Sequence, residues 1–460
     1  MFDKHDRVLV VGLGRSGMET ARVLRERGIE VIAFDDVAAA LERNRAELTA
    51  IGASLVDLDA LHRDAAHLSA AVRSPGVPCE NAALALLRRA GVPTYAEIEI
   101  AYRLSPAPII AVTGTKGKST TTALIGHILR TAGRRTHVGG NIGSPLIREC
   151  SAAAAEDWVV AEVSSFQLEA THAFAPRISV ILNLSPDHLD RYASMEAYAE
   201  AKYRIFANQS GSDAFIGNAD DPYLRSLRAS GNPRVMARDF WFSLDAATDG
   251  VAIRCEGGAI VWQQTTRRAV RIVPVDALRL RGRHNLANAM AAALATLVAG
   301  VPAAEVATAL RTFTPLAHRF ATVATIDGVT WIDDSKATNP DAVVKALQTC
   351  PAPAVLIAGG RGKETDFSAL GRTASERTHT VILIGESARQ IGAHIHGPVR
   401  HYASSLREAV EIAARAAAPS QYVLLSPGCA SFDMFENAEQ RGDVFASLVR
   451  ELRDRTVAPS

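Results

Sequence analysis

Short apolar, β-branched runs recur along the chain, each closing on glycine or a polar turn and leading into a segment of helical spacing. Arg7–Val11 passes through Gly12-Leu13-Gly14-Arg15-Ser16-Gly17 into a helix that runs to about Arg27. Glu30–Phe34 follows and ends at Asp35-Asp36. This is the pattern of a βαβ unit. Residues 109–112 form the same kind of run before Gly114-Thr115-Lys116-Gly117-Lys118-Ser119-Thr120, with helix formers from Thr121 onward. Further strands are predicted over 158–163 and 178–184, a helix over 195–206, and an alanine-rich helix opening at Arg283-His284-Asn285. The pattern breaks at Pro315-Leu316-Ala317-His318-Arg319, a predicted hinge. A strand then ends in the polar stretch Asp333 to Asn339. Runs at 354–358, 380–384 and Tyr422–Leu425 each close on a glycine turn.

The length of 460 residues and a prior of ~150 per domain point to about three domains. The expectation is an α/β protein: a Rossmann-like unit at 1–98, a central P-loop-type ATPase domain at 99–314 and a second Rossmann-like domain at 315–460. Lys and Arg number 50 against 49 for Asp and Glu, so whole-chain electrostatics give no case for nucleic acid. Five scattered cysteines with no CxxC or zinc-type spacing suggest reduced thiols and a cytoplasmic enzyme. No signal peptide is visible, and no apolar run of ~18 residues suggests a membrane span.

The chemistry concentrates at Gly114 to Thr120. Glycines let backbone N–H groups approach phosphate oxygens at a helix N-terminus, a lysine adds charge and a hydroxyl can ligate Mg²⁺. Lys118 and Ser119 fill the last two roles. The usual P-loop glycine five residues before Gly117 is replaced by Val112, so only the shorter Thr-Gly-Thr-x-Gly-Lys-Ser form fits. The turn at Gly12 to Gly17 specifies a diphosphate on a helix N-terminus but not what is attached to it. NAD and a UDP-sugar satisfy the same physics, with Asp35 and Asp36 at the usual acidic position. The turn at Ser74 could reach the same ligand. Asn141 sits in a glycine-rich turn. Glu162, at a strand's carboxyl edge near the phosphate loop, is a predicted metal ligand, and His188 ends the next strand between Asp187 and Asp190. Lys202 lies on a helix where sequence physics alone leaves it solvated. Asn285 and Asn288 share a helix face suited to adenine or to packing.

Taken together, GTKGKST, GNIG, SSFQLE, DHLDRY, DSKATN and SPGCASFDMF resemble the Mur ligases, the ATP-dependent amino-acid-adding enzymes of peptidoglycan synthesis. The resemblance runs from Gly12 to Gly442. It implies a ligase that adds D-glutamate to UDP-N-acetylmuramoyl-L-alanine through an acyl phosphate, acting as a monomer with ATP and Mg²⁺. By resemblance, Gly114, Thr115, Lys116, Gly117, Lys118, Ser119 and Thr120 hold ATP phosphates, with Asn285, Arg319 and Asp334 on the nucleotide side. Ser119, Glu162 and His188 belong to the metal sites, and Lys202 matches a lysine the family carbamylates, which would turn a cation into an anionic ligand. Asp35, Asp36, Ser74, Asn141 and Gln167 face the UDP-muramoyl substrate. Lys336, Thr338, Lys363, Ser431 and Phe432 lie on the glutamate side. Lys116 stands where the family usually has asparagine, Ala321 where an acidic residue is common, and Ala438 where an aromatic often packs on the incoming glutamate. The last departure keeps an L-glutamate-adding variant open. A folylpolyglutamate-type ligase and, from residues 12–17 alone, a nicotinamide-dependent dehydrogenase are the competing readings.

Oxide is too poor a leaving group for a carboxylate to react with an amine at neutral pH. Phosphorylation by ATP solves this, and cations must neutralise the γ-phosphoryl as it transfers. Hinge closure near Pro315 is implied to join ATP and glutamate and to exclude water. Replacing Lys118 by Ala should remove at least about a hundredfold of ATP-dependent turnover, measured as ADP release; near-normal turnover would overturn its role.

Overall fold

In the computed structural model of the protein the described residues are 2–78, 80–187, 191–229, 235–245, 250–263, 269–314, 316–350, 353–362 and 366–457. His188, Lys363 and the predicted hinge residue Pro315 lie outside them. The chain forms two compact units, Met1–Phe313 and Thr314–Ser460.

The first unit contains two sheets. One is all parallel and runs Ser54–Leu55, Glu30–Phe34, Arg7–Val11, Ala70–Arg73, Thr94–Ala96. The chain starts at its middle, builds one side, then crosses to the other. Arg7–Val11 and Ala70–Arg73 therefore flank the point where strand order reverses, and ligands of such sheets bind outside the carboxyl ends there. Gly12 and Ser74 leave the sheet at that point. The first and second predicted strands fall where expected, because both are nearly continuous apolar runs buried on both faces.

The second sheet runs Val270–Pro274, Ala259–Trp262, Ile253–Glu256, Arg238–Ser243, Ala214–Asn218, Ile178–Ile181, Ile109–Thr113, Trp158–Glu162, Thr136–Gly140. Ile109–Thr113 is buried throughout and lies between Trp158–Glu162 and Ile178–Ile181, parallel to both. Gly114, Val163 and Leu182 therefore emerge side by side along one edge. Its antiparallel end was not among the predicted elements. Gly257 and Gly258, at φ +54° and +69°, make a two-residue turn pairing Glu256 with Ala259. That Gly-Gly pair between strand-like runs is a hairpin signal the strand pattern alone did not use. One continuous apolar core, from Val8 and Val72 through Ile109 and Ala161 to Phe215 and Trp241, joins the two sheets.

The second unit holds a sheet ordered Ala321–Ile326, Val329–Asp333, Tyr422–Leu425, Ala354–Gly359, Thr378–Ile384, Val399–Tyr402. Only the first pair is antiparallel. The carboxyl ends of Val329–Asp333, Tyr422–Leu425 and Ala354–Gly359 are neighbours, which gathers the loops after Asp333, Leu425 and Gly359.

Two buried carboxylates fix the helix Glu97–Leu104. Glu99 accepts from the backbone N–H groups of His172, Ala173 and Phe174. Glu97 accepts from Ile147 N at 2.7 Å, capping the helix Leu146–Ala152, and its Oε2 is buried with no partner. Burial, outweighing that backbone bond, pushes the Glu97 carboxyl up to about 7. A carboxyl raised on folding binds more protons folded than unfolded. Its stabilising effect is therefore complete below the ordinary value and is lost as pH rises towards about 7. Glu97→Gln, which mimics the protonated form, should gain roughly 3 kcal/mol on wild type between pH ~4.5 and ~7.5. Urea melts across that range check it, and parallel curves for the two proteins would refute the assignment.

Candidate functional site

The phosphate loop is held by close approach and by one asparagine. Gly114, at φ +148°, packs on Leu182 and Asn183. At Gly117, φ +86°, a Cβ would sit 2.2 Å from Asn288 Oδ1, so any other residue would strain the backbone and displace Asn288. Asn183 Oδ1 accepts from Lys116 N and its Nδ2 donates to Lys116 O, both at 2.9 Å, while Asn183 O accepts from Thr115 N. Asn288 in turn donates to Asn285 Oδ1 at 3.2 Å. The helix starts at Lys118 rather than Thr121, because the left-handed Gly117 serves as its N-cap. Ser119 and Thr120 lie buried in its first turn.

Two ammonium groups converge on one carbonyl. Lys118 Nζ donates to Gly114 O at 3.0 Å and Thr115 O at 2.8 Å, and Lys202 Nζ donates to Gly114 O at 3.0 Å. Lys202 is 1% exposed, which corrects the solvated reading. Its helix, Met195–Tyr203, packs that face inward and holds the ammonium 4.6 Å over the Tyr198 ring. Burial first, then the neighbouring Lys118, drives the Lys202 amine well below its ordinary range; Asp187 and Glu162 oppose this only in part.

Glu162 is the complementary anion. It is 2% exposed, its Oε1 accepts from Asn141 Nδ2 at 2.8 Å, and its Oε2 is buried with no hydrogen-bond donor. An orphaned buried carboxylate oxygen costs on the order of 1–3 kcal/mol or more, and a divalent cation is what such a group accommodates. Among the described residues no cluster of three or more His, Cys, Asp or Glu surrounds it.

Two cavities meet in front of these groups. The outer one, about 490 Å³, lies at the strand-order reversal and is lined by Gly12, Arg15, Asp35, Asp36, Ser74 and Gln167, among others. The inner one, about 380 Å³, is lined by Lys118, Lys202, Asp187, Phe166 and Tyr198. They share Pro75, Gly76 and Asn141. The predicted acceptor residues mostly shape this wall. Asp35 takes Leu13 N at 2.6 Å and Val37 N at 2.9 Å, Asp36 bonds Asn81, and Ser74 Oγ donates to Gly12 O at 2.7 Å. Gln167 forms a capping box with Ser164.

In the second unit, Asp334 Oδ2 accepts from Ser426 Oγ at 2.8 Å and Oδ1 from Phe320 N at 3.1 Å. Burial, against these bonds and the nearby Arg319, pushes Asp334 up to about 7. Lys336 Nζ pairs with Glu439. Thr338 N donates to Lys336 O, and Gly428 N to Ala337 O, which ties the 333–339 loop to the 427–435 loop. Ser431 is buried in that second loop while Phe432 is 60% exposed. Further residues shape the site, all but one without a signal of their own in the sequence. Arg441, 1% exposed, donates to Ser335 Oγ and O and to Cys429 O, clamping the same two loops. Asn183, Tyr198 and Glu169 serve the first unit. Only Tyr198, one helical turn before Lys202, carried a spacing signal.

The Mur ligase middle domain matches residues 112–296, and the Mur ligase glutamate ligase domain matches 318–429. The chain is 44% identical to the UDP-N-acetylmuramoylalanine–D-glutamate ligase of Pelotomaculum thermopropionicum, over 97% of this chain and 98% of that one. It is 42% identical to the same-named enzyme of Symbiobacterium thermophilum, with the same coverage. Among solved structures, the UDP-N-acetylmuramate-alanine ligase of Thermotoga maritima superposes with TM-score 0.62 at 20% identity, covering 97% of this chain and all of that one. A MurF ligase of Thermotoga maritima in complex with ADP superposes with TM-score 0.62 at 15% identity, covering 99% of this chain and all of that one.

If Glu162 Oε2 faces a cation, Glu162→Gln should raise the Mg²⁺ concentration for half-maximal ATP turnover by about tenfold or more. A magnesium titration checks this; an unchanged half-point with a lower plateau would assign Glu162 to shape alone.

Proposed function

The chain belongs to the Mur ligase family, and from that premise we propose that it adds D-glutamate to UDP-N-acetylmuramoyl-L-alanine with ATP, forming an amide, ADP and phosphate in peptidoglycan precursor synthesis. The observation that carries the chemical part of this reading is the convergence of Lys118 and Lys202, which both line the inner cavity, on Gly114 O. Two amines held that close fit a polyanion, and a Lys202 whose charge is disfavoured by burial and by Lys118 fits capture of carbon dioxide as a carbamate.

In this reading the acceptor spans both cavities, with its nucleotide in the outer and its L-alanyl carboxylate in the inner one. The backbone of Gly114 to Thr120 cradles the ATP phosphates, and Lys118 offsets the charge that builds on the γ-phosphoryl as it passes to the carboxylate. Ser119, Glu162, His188 and the Lys202 carbamate would hold Mg²⁺, which supplies Lewis-acid neutralisation of phosphoryl oxygens. The glutamate amine then attacks the acyl phosphate. Its two carboxylates need fixed cations and donors, the roles assigned to Lys336, Lys363, Thr338 and Ser431, with Phe432 beside them. Asn285, Arg319 and Asp334 are assigned to the nucleotide. The domain limits 1–98, 99–314 and 315–460, action as a monomer and a cytoplasmic location belong to the same proposal. Among the described residues no helix is long and apolar enough to cross a membrane.

The test is phosphate release from ATP with UDP-N-acetylmuramoyl-L-alanine and D- or L-glutamate offered separately. Release and a new amide with the D form alone are expected. Preference for the L form would support the L-glutamate-adding variant that the departure at Ala438 leaves open, and release with neither would refute the ligase reading.

A further inference from the structure

Glu169, just past the short helix Ser165–Leu168, is a hub for Arg73, Arg191 and Tyr192, residues that the assignments above leave without a role. Its Oε2 accepts from Arg73 Nη2 at 3.0 Å and Arg191 Nη2 at 2.6 Å. Its Oε1 accepts from Arg191 Nε at 3.1 Å and Tyr192 OH at 2.6 Å. Arg73 is 4% exposed and ends the strand that leads into Ser74-Pro75-Gly76. It also donates to Phe166 O at 3.1 Å. The Arg191 guanidinium lies 4.1 Å over the Phe166 ring, and Tyr192 stacks on Phe166 at 6.1 Å and 27°. Tyr192 then meets Tyr198 at 5.3 Å, whose hydroxyl is 3.3 Å from Thr115 Oγ1 in the phosphate loop.

These contacts have one geometric outcome. The Pro75-Gly76 turn is shared by the outer and inner cavities, while Phe166 and Tyr198 wall the inner one. One carboxylate therefore ties the turn where the cavities join to the aromatic wall beside Lys118 and Lys202. The charge matters as well as the shape. Two guanidinium groups, the buried Arg73 and the partly exposed Arg191, face one carboxylate, and removing its charge weakens both pairings.

We propose that Glu169 is a positioning residue that couples the outer cavity to the inner one, so that an acceptor anchored by its nucleotide has its reacting carboxylate delivered to the phosphate loop. This rests on the ligase reading above. Remote binding energy raises turnover only if it is transmitted rigidly to the reacting end. Loss of the coupling should therefore erase the advantage of the nucleotide-bearing acceptor while sparing each cavity's own binding.

The experiment compares wild type, Glu169→Gln and Tyr192→Phe with UDP-N-acetylmuramoyl-L-alanine and with N-acetylmuramoyl-L-alanine, which lacks the nucleotide. Inhibition by UDP alone and the ATP KM are measured in parallel. In Glu169→Gln, kcat with the full acceptor should fall about tenfold or more, the truncated acceptor should lose less than about threefold, and the UDP inhibition constant and ATP KM should stay within about twofold. Tyr192→Phe, which removes one of the four bonds, should shift the same ratio less and decides the matter if Glu169→Gln does not fold. If wild type turns over the truncated acceptor too slowly to measure, reduced kcat with unchanged UDP inhibition supports the coupling. Equal losses with both acceptors, weakened UDP inhibition matching the loss of turnover, or no loss in either variant would overturn the proposal. A wild-type chain inactive with the full acceptor would instead sink the ligase reading, and the coupling with it.

Discussion

The two lysine amines that meet at the Gly114 carbonyl impose a constraint that the rest of the first unit satisfies. Like charges that close inside a protein repel, and burial adds to the penalty. The arrangement persists because the loop beneath it is over-determined. Asn183 brackets Lys116 from both sides, Gly117 in its left-handed conformation packs close to Asn288, and Tyr198 supports Lys202 from below. Repulsion of this kind is relieved by an anion, and a polyphosphate at a helix N-terminus has the matching chemistry.

Glu162 is the mirror image of that arrangement. It lies at the end of the neighbouring strand, buried, with one oxygen held by Asn141 and the other without a donor. Excess positive charge and an unsatisfied anion thus sit along one sheet edge, in the order the strands Ile109–Thr113 and Trp158–Glu162 dictate. The sheet is a scaffold that aligns strand ends, and the reactive groups gather where the chain leaves those ends. The same logic builds the outer cavity, where Gly12 and Ser74 leave adjacent strands of the first sheet, and the second unit, where Asp334, Gly360 and Ser426 leave three neighbouring strands.

Many polar residues read as binding groups also work as structure. Asp35 holds two backbone N–H groups, Ser74 holds Gly12 O, and Gln167 closes a helix N-terminus. The two roles are compatible: a cavity wall built from hydrogen-bonded polar side chains keeps its shape before the ligand arrives, which lowers the ordering cost of binding.

The sequence by itself determined the strand–loop–helix units, since buried parallel strands read as apolar runs and glycine marks the turns where a side chain cannot fit. It determined the phosphate loop, the α/β class and, through its motifs, the family. It did not determine which residues would be buried. Lys202 and Arg441 sit on helices in ordinary-looking polar stretches, and only packing against distant segments takes them out of water. Nor did it reveal the Glu169 hub, whose partners at 73, 191 and 192 lie far from or beyond it in the chain and meet only because Ala70–Arg73 and the segment after Ile178–Ile181 converge on one helix end. Local pattern is set by periodicity and sterics within a few residues. Desolvation and charge pairing depend on neighbours that only the folded chain supplies.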